Sequence, residues 1–126
     1  ARALRRYRSS KGDTQMNSFV HQGLNVEIAA PYEVQPGGGV LKGALFGIAR
    51  SWAQAGDSVE VSTTGVFDLD RNPHEDWRVG DRIYWNDESR RFTTNAENAV
   101  LVGFAVSEST GTERPSCRVK LIGYAA

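Results

Sequence analysis

Two histidines, one cysteine and a scatter of closely spaced carboxylates are the residues of this 126-residue chain best suited to chemistry. Zinc needs ligands at short spacing, and His21 and His74 stand far apart with no such neighbours. His74, Glu75 and Asp76 set three titratable groups side by side, but they follow the turn-forming pair Asn72-Pro73 and read as a solvated loop. Cys117 beside a histidine would make a nucleophile. The alternation of SCRVKLIG instead turns it inward as a strand residue. Asp68, Asp70, Asp76, Asp81, Asp87 and Glu88 could attract a cation, yet they lack the spacing of an EF-hand loop. Arg90 and Arg91 beside Phe92, with Tyr84 and Trp85 across a turn, have the composition of a base-stacking platform. Phosphate binding needs concentrated positive charge, which the acidic surroundings oppose; core and cross-strand pairing accounts for the same aromatics. The expectation is a protein with no catalytic residues, no metal and no cofactor, and so no enzyme.

The stretch PGGGVLKGALFGIARS, residues 36–51, is the remaining candidate for chemistry. A phosphate-binding loop needs Gly-Lys-Ser/Thr opening a helix, so that free N–H groups face the anion. Here Lys42 lies between Leu41 and Gly43 and leads into β-favouring residues. A dinucleotide fingerprint fails because Lys42 sits where its last glycine belongs and no βαβ unit follows. Glycines at every fourth position also suit paired membrane helices, but Lys42 and Arg50 bracket too short an apolar run. Read as one strand, the stretch places Gly39, Leu41, Gly43, Leu45 and Gly47 on a single face, with Val40, Lys42, Ala44, Phe46 and Ile48 on the other. Glycines at alternate same-face positions admit another backbone or a ring. These five residues are therefore expected to form a close-packing or subunit contact.

The elements that position such groups read as strands. LNVEIAAPY alternates and stops at Pro31, DSVEVSTTGVFDL alternates around Val59 and Val61, and DRIYWNDESRRFTT has the form of a hairpin turning on NDES. AVLVGFAVSES and SCRVKLIGY close the chain, while SWAQAGD and NPHEDW are short and read as turns rather than helices. LFGIARS (45–51) and LVGFAVS (101–107) share Leu-x-Gly-x-Ala-x-Ser, and each is followed by a polar loop and a strand, which predicts two hairpins on one plan. The fold class expected is all-β, a small barrel or sandwich.

The chain is one domain in size, and its single cysteine leaves stability to packing or assembly. No apolar run approaches the eighteen or so residues that span a bilayer, and no membrane partner is expected. A net charge of zero hides a division. ARALRRYRSSK holds five basic residues and no acid, leaving ten basic against fifteen acidic residues in the remainder, a net of −5. The boundaries expected are an extended basic arm over 1–15 and a β-rich domain over 16–126. Such an arm seeks an acidic or polyanionic partner, through Arg2, Arg5, Arg6, Tyr7, Arg8 and Lys11.

From Met16 onward the chain resembles the capsid cement, or decoration, proteins of tailed bacteriophages, some of which carry a recombinase label. NSFVHQGLNVEIAAPY, GGGVLKGALFGIA, TTGVFDLDR, WRVGDRIYWND followed by FTT, and VLVGFAVSESTGT leading into RVKLIG carry the resemblance, in order, over residues 17–123. A recombinase would need the ATP site that residues 36–51 do not form. The resemblance implies a barrel-like, β-tulip-like fold and a structural virion protein on the outer surface of an icosahedral capsid, made in the host cytoplasm. It further implies homotrimers or similar clusters that bridge major capsid proteins and stabilise the expanded shell. ARALRRYRSSKGDTQ precedes Met16, where members of that family commonly begin; the arm is expected to lie on an acidic capsid surface or add to a strand edge. Direct nucleic-acid binding is not expected, and a small β-barrel nucleic-acid binder using the arm is the alternative.

Overall fold

The computed structural model describes residue 21, residues 23–111 and residues 116–126, so the basic arm lies outside the described residues. Nine strands and no helix run through these residues: β1 (Asn25–Ala29), β2 (Gly39–Lys42), β3 (Leu45–Ala49), β4 (Ser58–Ser62), β5 (Val66–Asp70), β6 (Arg82–Asn86), β7 (Arg91–Thr93), β8 (Val100–Ala105) and β9 (Ser116–Leu121). They form two antiparallel sheets, ordered β1-β4-β3-β2 and β5-β9-β8-β6-β7. The all-β class follows from strict alternation: in β9, Cys117, Val119 and Leu121 are buried while Ser116, Arg118 and Lys120 are exposed. SWAQAGD and NPHEDW are turns and isolated bridges, as their length suggests.

The GVLKGALFGIA stretch is corrected. It is a hairpin of β2 and β3, pairing Gly39 with Ile48, Val40 with Gly47, Leu41 with Phe46 and Lys42 with Leu45. Gly43 adopts φ 59° at the first of two turn residues, a conformation that suits glycine and a primed hairpin turn. The reversal splits the supposed single face. Gly39 and Leu41 share one face with Phe46 and Ile48, whereas Leu45 and Gly47 share the other with Val40 and Lys42.

The echo between LFGIARS and LVGFAVS belongs to a larger repeat. β3 pairs with the following β4 through Ile48–Ser62 and Ala49–Val61, and β8 pairs with β9 through Phe104–Lys120 and Ala105–Val119. β1 on β4 and β5 on β9 have the same register, with Val26–Val61 and Ile28–Val59 matching Phe67–Val119 and Leu69–Cys117. An isolated bridge Val34–Ala53 is matched by Trp77–Ser109. Gly37 N–H donates to Ala49 O at 2.9 Å, and Gly80 N–H donates to Ala105 O at 2.8 Å. Both glycines have positive φ, 87° and 92°. The chain is thus two copies of a four-strand unit, and the β6–β7 hairpin extends the second copy by an edge strand.

Each unit has its own core at matching positions. Val26, Ile28, Val34, Val40, Ala49, Ala53, Val59 and Val61 fill the first. Phe67, Leu69, Trp77, Ile83, Ala105, Cys117 and Val119 fill the second. The added hairpin supplies what joins them. Trp85 and Phe92 face each other across β6 and β7 with centroids 4.8 Å apart, and Phe46 of the first unit packs on both at 5.6 and 6.0 Å. Burying such rings is worth about 1.5–3 kcal/mol each, so the two units are held by an apolar joint.

Candidate functional site

The groups singled out for chemistry are occupied in structural roles or exposed singly. Cys117 is buried in β9, its thiol donating to Ser107 O at 3.3 Å, as the alternation predicts. His21 and His74 are both exposed. Among the described residues no group of three His, Cys, Asp or Glu side chains could hold a metal ion. The base-stacking platform is not presented: Trp85 and Phe92 are buried, and the Arg90 guanidinium lies 3.4 Å from the centroid of the Tyr32 ring.

Three polar residues hold this region together: Tyr32, which the sequence reading did not single out, and Asp87 and Glu75, which it took for a cation candidate and a solvated loop. Tyr32 comes from the first unit, and its hydroxyl accepts from Leu41 N–H at 3.0 Å. Its own proton faces Gly39 O and Asp87 Oδ1, each at 3.2 Å. Burial pushes the phenol above its ordinary value, and nearby Asp87 adds to this, so it remains a neutral donor. Asp87 also accepts from Trp85 Nε1 at 2.9 Å, which ties the β6–β7 turn to both units. Glu75 gathers the far end of β7: its carboxylate accepts from Trp77 Nε1 at 3.0 Å, Thr94 N–H at 3.0 Å and the Thr93 hydroxyl. Burial alone would push that carboxyl up, but hydrogen bonds from Thr93, Trp77 and Thr94 outweigh it and hold the carboxyl below the ordinary range.

Arg71 is 2% exposed. Its Nε donates to Ser109 Oγ at 2.8 Å, and its remaining donors meet the carbonyls of Asn72, Glu75 and Gly111. The guanidinium ties the loop after β5 to the loop after β8, since a fixed fork of donors can satisfy several carbonyls at once. A signal existed in the sequence: Arg71 continues the inward parity of Phe67 and Leu69, where a charge is out of place.

The glycine positions divide by role. A Cβ on Gly39 would come within 2.8 Å of the Trp85 ring, and one on Gly47 within 2.8 Å of Ser62 O. Close approach at both is therefore made within the chain. Gly43 stands in open space at the hairpin tip, with Leu41 and Leu45 half-buried beside it. Along the seam between the units, a groove of about 530 Å³ is lined by Gly37, Gly38, Asp68, Asp70, Arg90 and Arg91 among others. It presents charges of both signs and backbone, and no nucleophile beside a base.

What the geometry offers is a double unit whose buried aromatic and polar groups are engaged in holding it together, under a surface of exposed strand residues. No curated protein and no solved structure matches the chain. Residues 20–121 match the family described as phage cement protein, which spans every strand from β1 to β9. The family expected from the resemblance is the one found: the chain belongs to the phage cement protein family, with a structural role at the phage capsid.

Proposed function

We propose that the protein binds the outer surface of an icosahedral phage capsid, bridges neighbouring major capsid proteins, and so stabilises the expanded shell. The observation that supports this most is the family match over residues 20–121. The physical mechanism is linkage. A ligand that binds the expanded lattice and not its precursor stabilises the former by RT ln(1 + [L]/Kd), about 2.7 kcal/mol at a hundredfold excess over Kd. Contacts to two or more capsid subunits, with copies gathered as homotrimers or similar clusters, raise attachment by effective concentration.

The β-rich body over 16–126 is the part that engages the shell by shape. The arm over 1–15 adds attachment through Arg2, Arg5, Arg6, Tyr7, Arg8 and Lys11, its charges meeting an acidic capsid surface. Two like-charged shells of protein repel, so a body of net −4 gains from a basic tether. The test is co-sedimentation of the purified chain with expanded capsids and with unexpanded precursors. High-copy binding confined to expanded capsids is expected, and a chain deleted of residues 1–15 is expected to bind at reduced occupancy. Equal binding to both particles, or none to either, refutes the cement reading. Unchanged occupancy after the deletion refutes the arm's part in it. A mobility shift with DNA that disappears with the arm would favour nucleic-acid binding instead.

A further inference from the structure

The duplication gives one surface an internal comparison. Pairing across the second sheet sets Val66, Lys120, Phe104 and Arg82 in one row, on strands β5, β9, β8 and β6. All four side chains are exposed, Val66 at 53% and Phe104 at 37%. The matching row of the first sheet is Asn25, Ser62, Ile48 and Gly39. There Ile48 is 3% exposed and joins the core cluster of the second unit, and Gly39 lies beneath Trp85. The β2–β3 part of this face is thus covered by the second unit, and the matching β6–β8 part of the other copy is left open. Phe104 stands where Ile48 stands, an apolar residue at the matching place.

The open row is also cationic. Arg82 and Lys120 flank Phe104, and neither makes an ion pair with another described residue. The complementary charge lies on this same face of the first sheet, at its β1–β4 end, away from Ile48 and Gly39. Glu27 and Glu60 are exposed and directly opposite each other across β1 and β4. Like charges in that arrangement destabilise a sheet. Among the described residues they have one cation between them, Arg50 at 3.7 Å from Glu60, and one hydroxyl, Ser58 donating to Glu27 at 2.6 Å.

We infer that the Val66–Lys120–Phe104–Arg82 row is a contact between copies of this chain, and that it seats on the Glu27–Glu60 face of the next copy. The partner is a second copy rather than the shell because the chain itself carries both charge-complementary halves. The contact joins unlike surfaces, so successive copies form a closed ring where the rotation closes. This gives a physical basis to the clustering in the functional reading above, and it is tested without capsids.

The experiment measures the mass of the purified full chain in solution by light scattering and native mass spectrometry. The wild-type chain is expected to be a discrete oligomer. Lys120→Glu and Glu27→Lys are each expected to dissociate it, and the double variant Lys120→Glu/Glu27→Lys is expected to restore it, since reversing both charges restores attraction. Phe104→Ser, at an exposed position, is expected to dissociate it with an unchanged circular dichroism spectrum. A monomeric wild-type chain, single charge variants that remain assembled, or a double variant that stays apart each overturns the inference. Capsid occupancy of the same variants separates the two readings. Single variants with normal solution mass but lost capsid binding would assign the row to the shell and overturn the copy–copy contact. Dissociated single variants that still bind capsids weakly support it and leave the cement function standing.

Discussion

Single atoms decide much of this fold. A Cβ on Gly103 would clash with the Lys120 carbonyl oxygen and lie 3.0 Å from Val119 Cγ1, just as one on Gly47 would meet Ser62 and Val61. Backbone cannot rotate aside as a side chain can, so Gly103→Ala must separate β8 from β9. We expect a loss of about 3 kcal/mol, at the upper end for an overpacked site, read as a lowered denaturation midpoint. Gly43 has no neighbour to clash with, and its constraint is φ alone. Glu75 makes a second prediction at this scale. Its folded-state pKa lies below the ordinary value of 4.5. The stabilisation it contributes is therefore complete above that value and is lost as pH falls through the lower, folded one. Glu75→Gln should be less stable than wild type at pH 7, and thermal melts of the two should converge as the pH is lowered below 4.5 towards the folded value. A gap that is unchanged or wider in acid would contradict this assignment.

Among the elements, the β6–β7 hairpin is the one that makes two units into one molecule. It breaks the repeat, adding an edge strand, and it carries Trp85, Phe92, Asp87 and Arg90 to the joint. Its turn was legible from residue types: Asn86 Oδ1 accepts from Glu88 and Ser89 N–H at 3.0 Å, the side chain-to-backbone bonding that makes Asn a turn former. Its load was not legible, because Phe46 is thirty-nine residues before Trp85 in the chain. Phe92→Ala should remove a ring packed on both Trp85 and Phe46, at a cost of about 3–5 kcal/mol. The joint should suffer first, so hydrogen exchange should rise at β2, β3, β6 and β7 before β1 and β4. Uniform loosening of all strands would show that the two cores do not act as separate units.

At the scale of the whole molecule, charge is divided where composition is balanced. Five basic residues over 1–11 stand against a remainder of net −5. Interactions of that kind are screened over about 8–10 Å at physiological salt. Capsid occupancy of the full chain should therefore fall as salt rises, while that of a chain lacking residues 1–15 should change little; equal salt dependence in both would remove the arm from the contact.

What the residues by themselves determined is parity and punctuation. Alternation in SCRVKLIG put Cys117 inside, Asn, Asp and Gly marked the turns, and the Leu-x-Gly-x-Ala-x-Ser echo announced a repeat, all of them properties of neighbours along the chain. Only the tertiary structure decided that GVLKGALFGIA folds back on itself. A continuous strand and a hairpin both alternate within each arm, and only the pairing of β2 on β3 shows that the phase reverses at Gly43-Ala44. The same holds for Ile48 and Phe104, which occupy matching positions with opposite burial. A residue's parity says which way it points, and what lies there depends on segments distant in sequence.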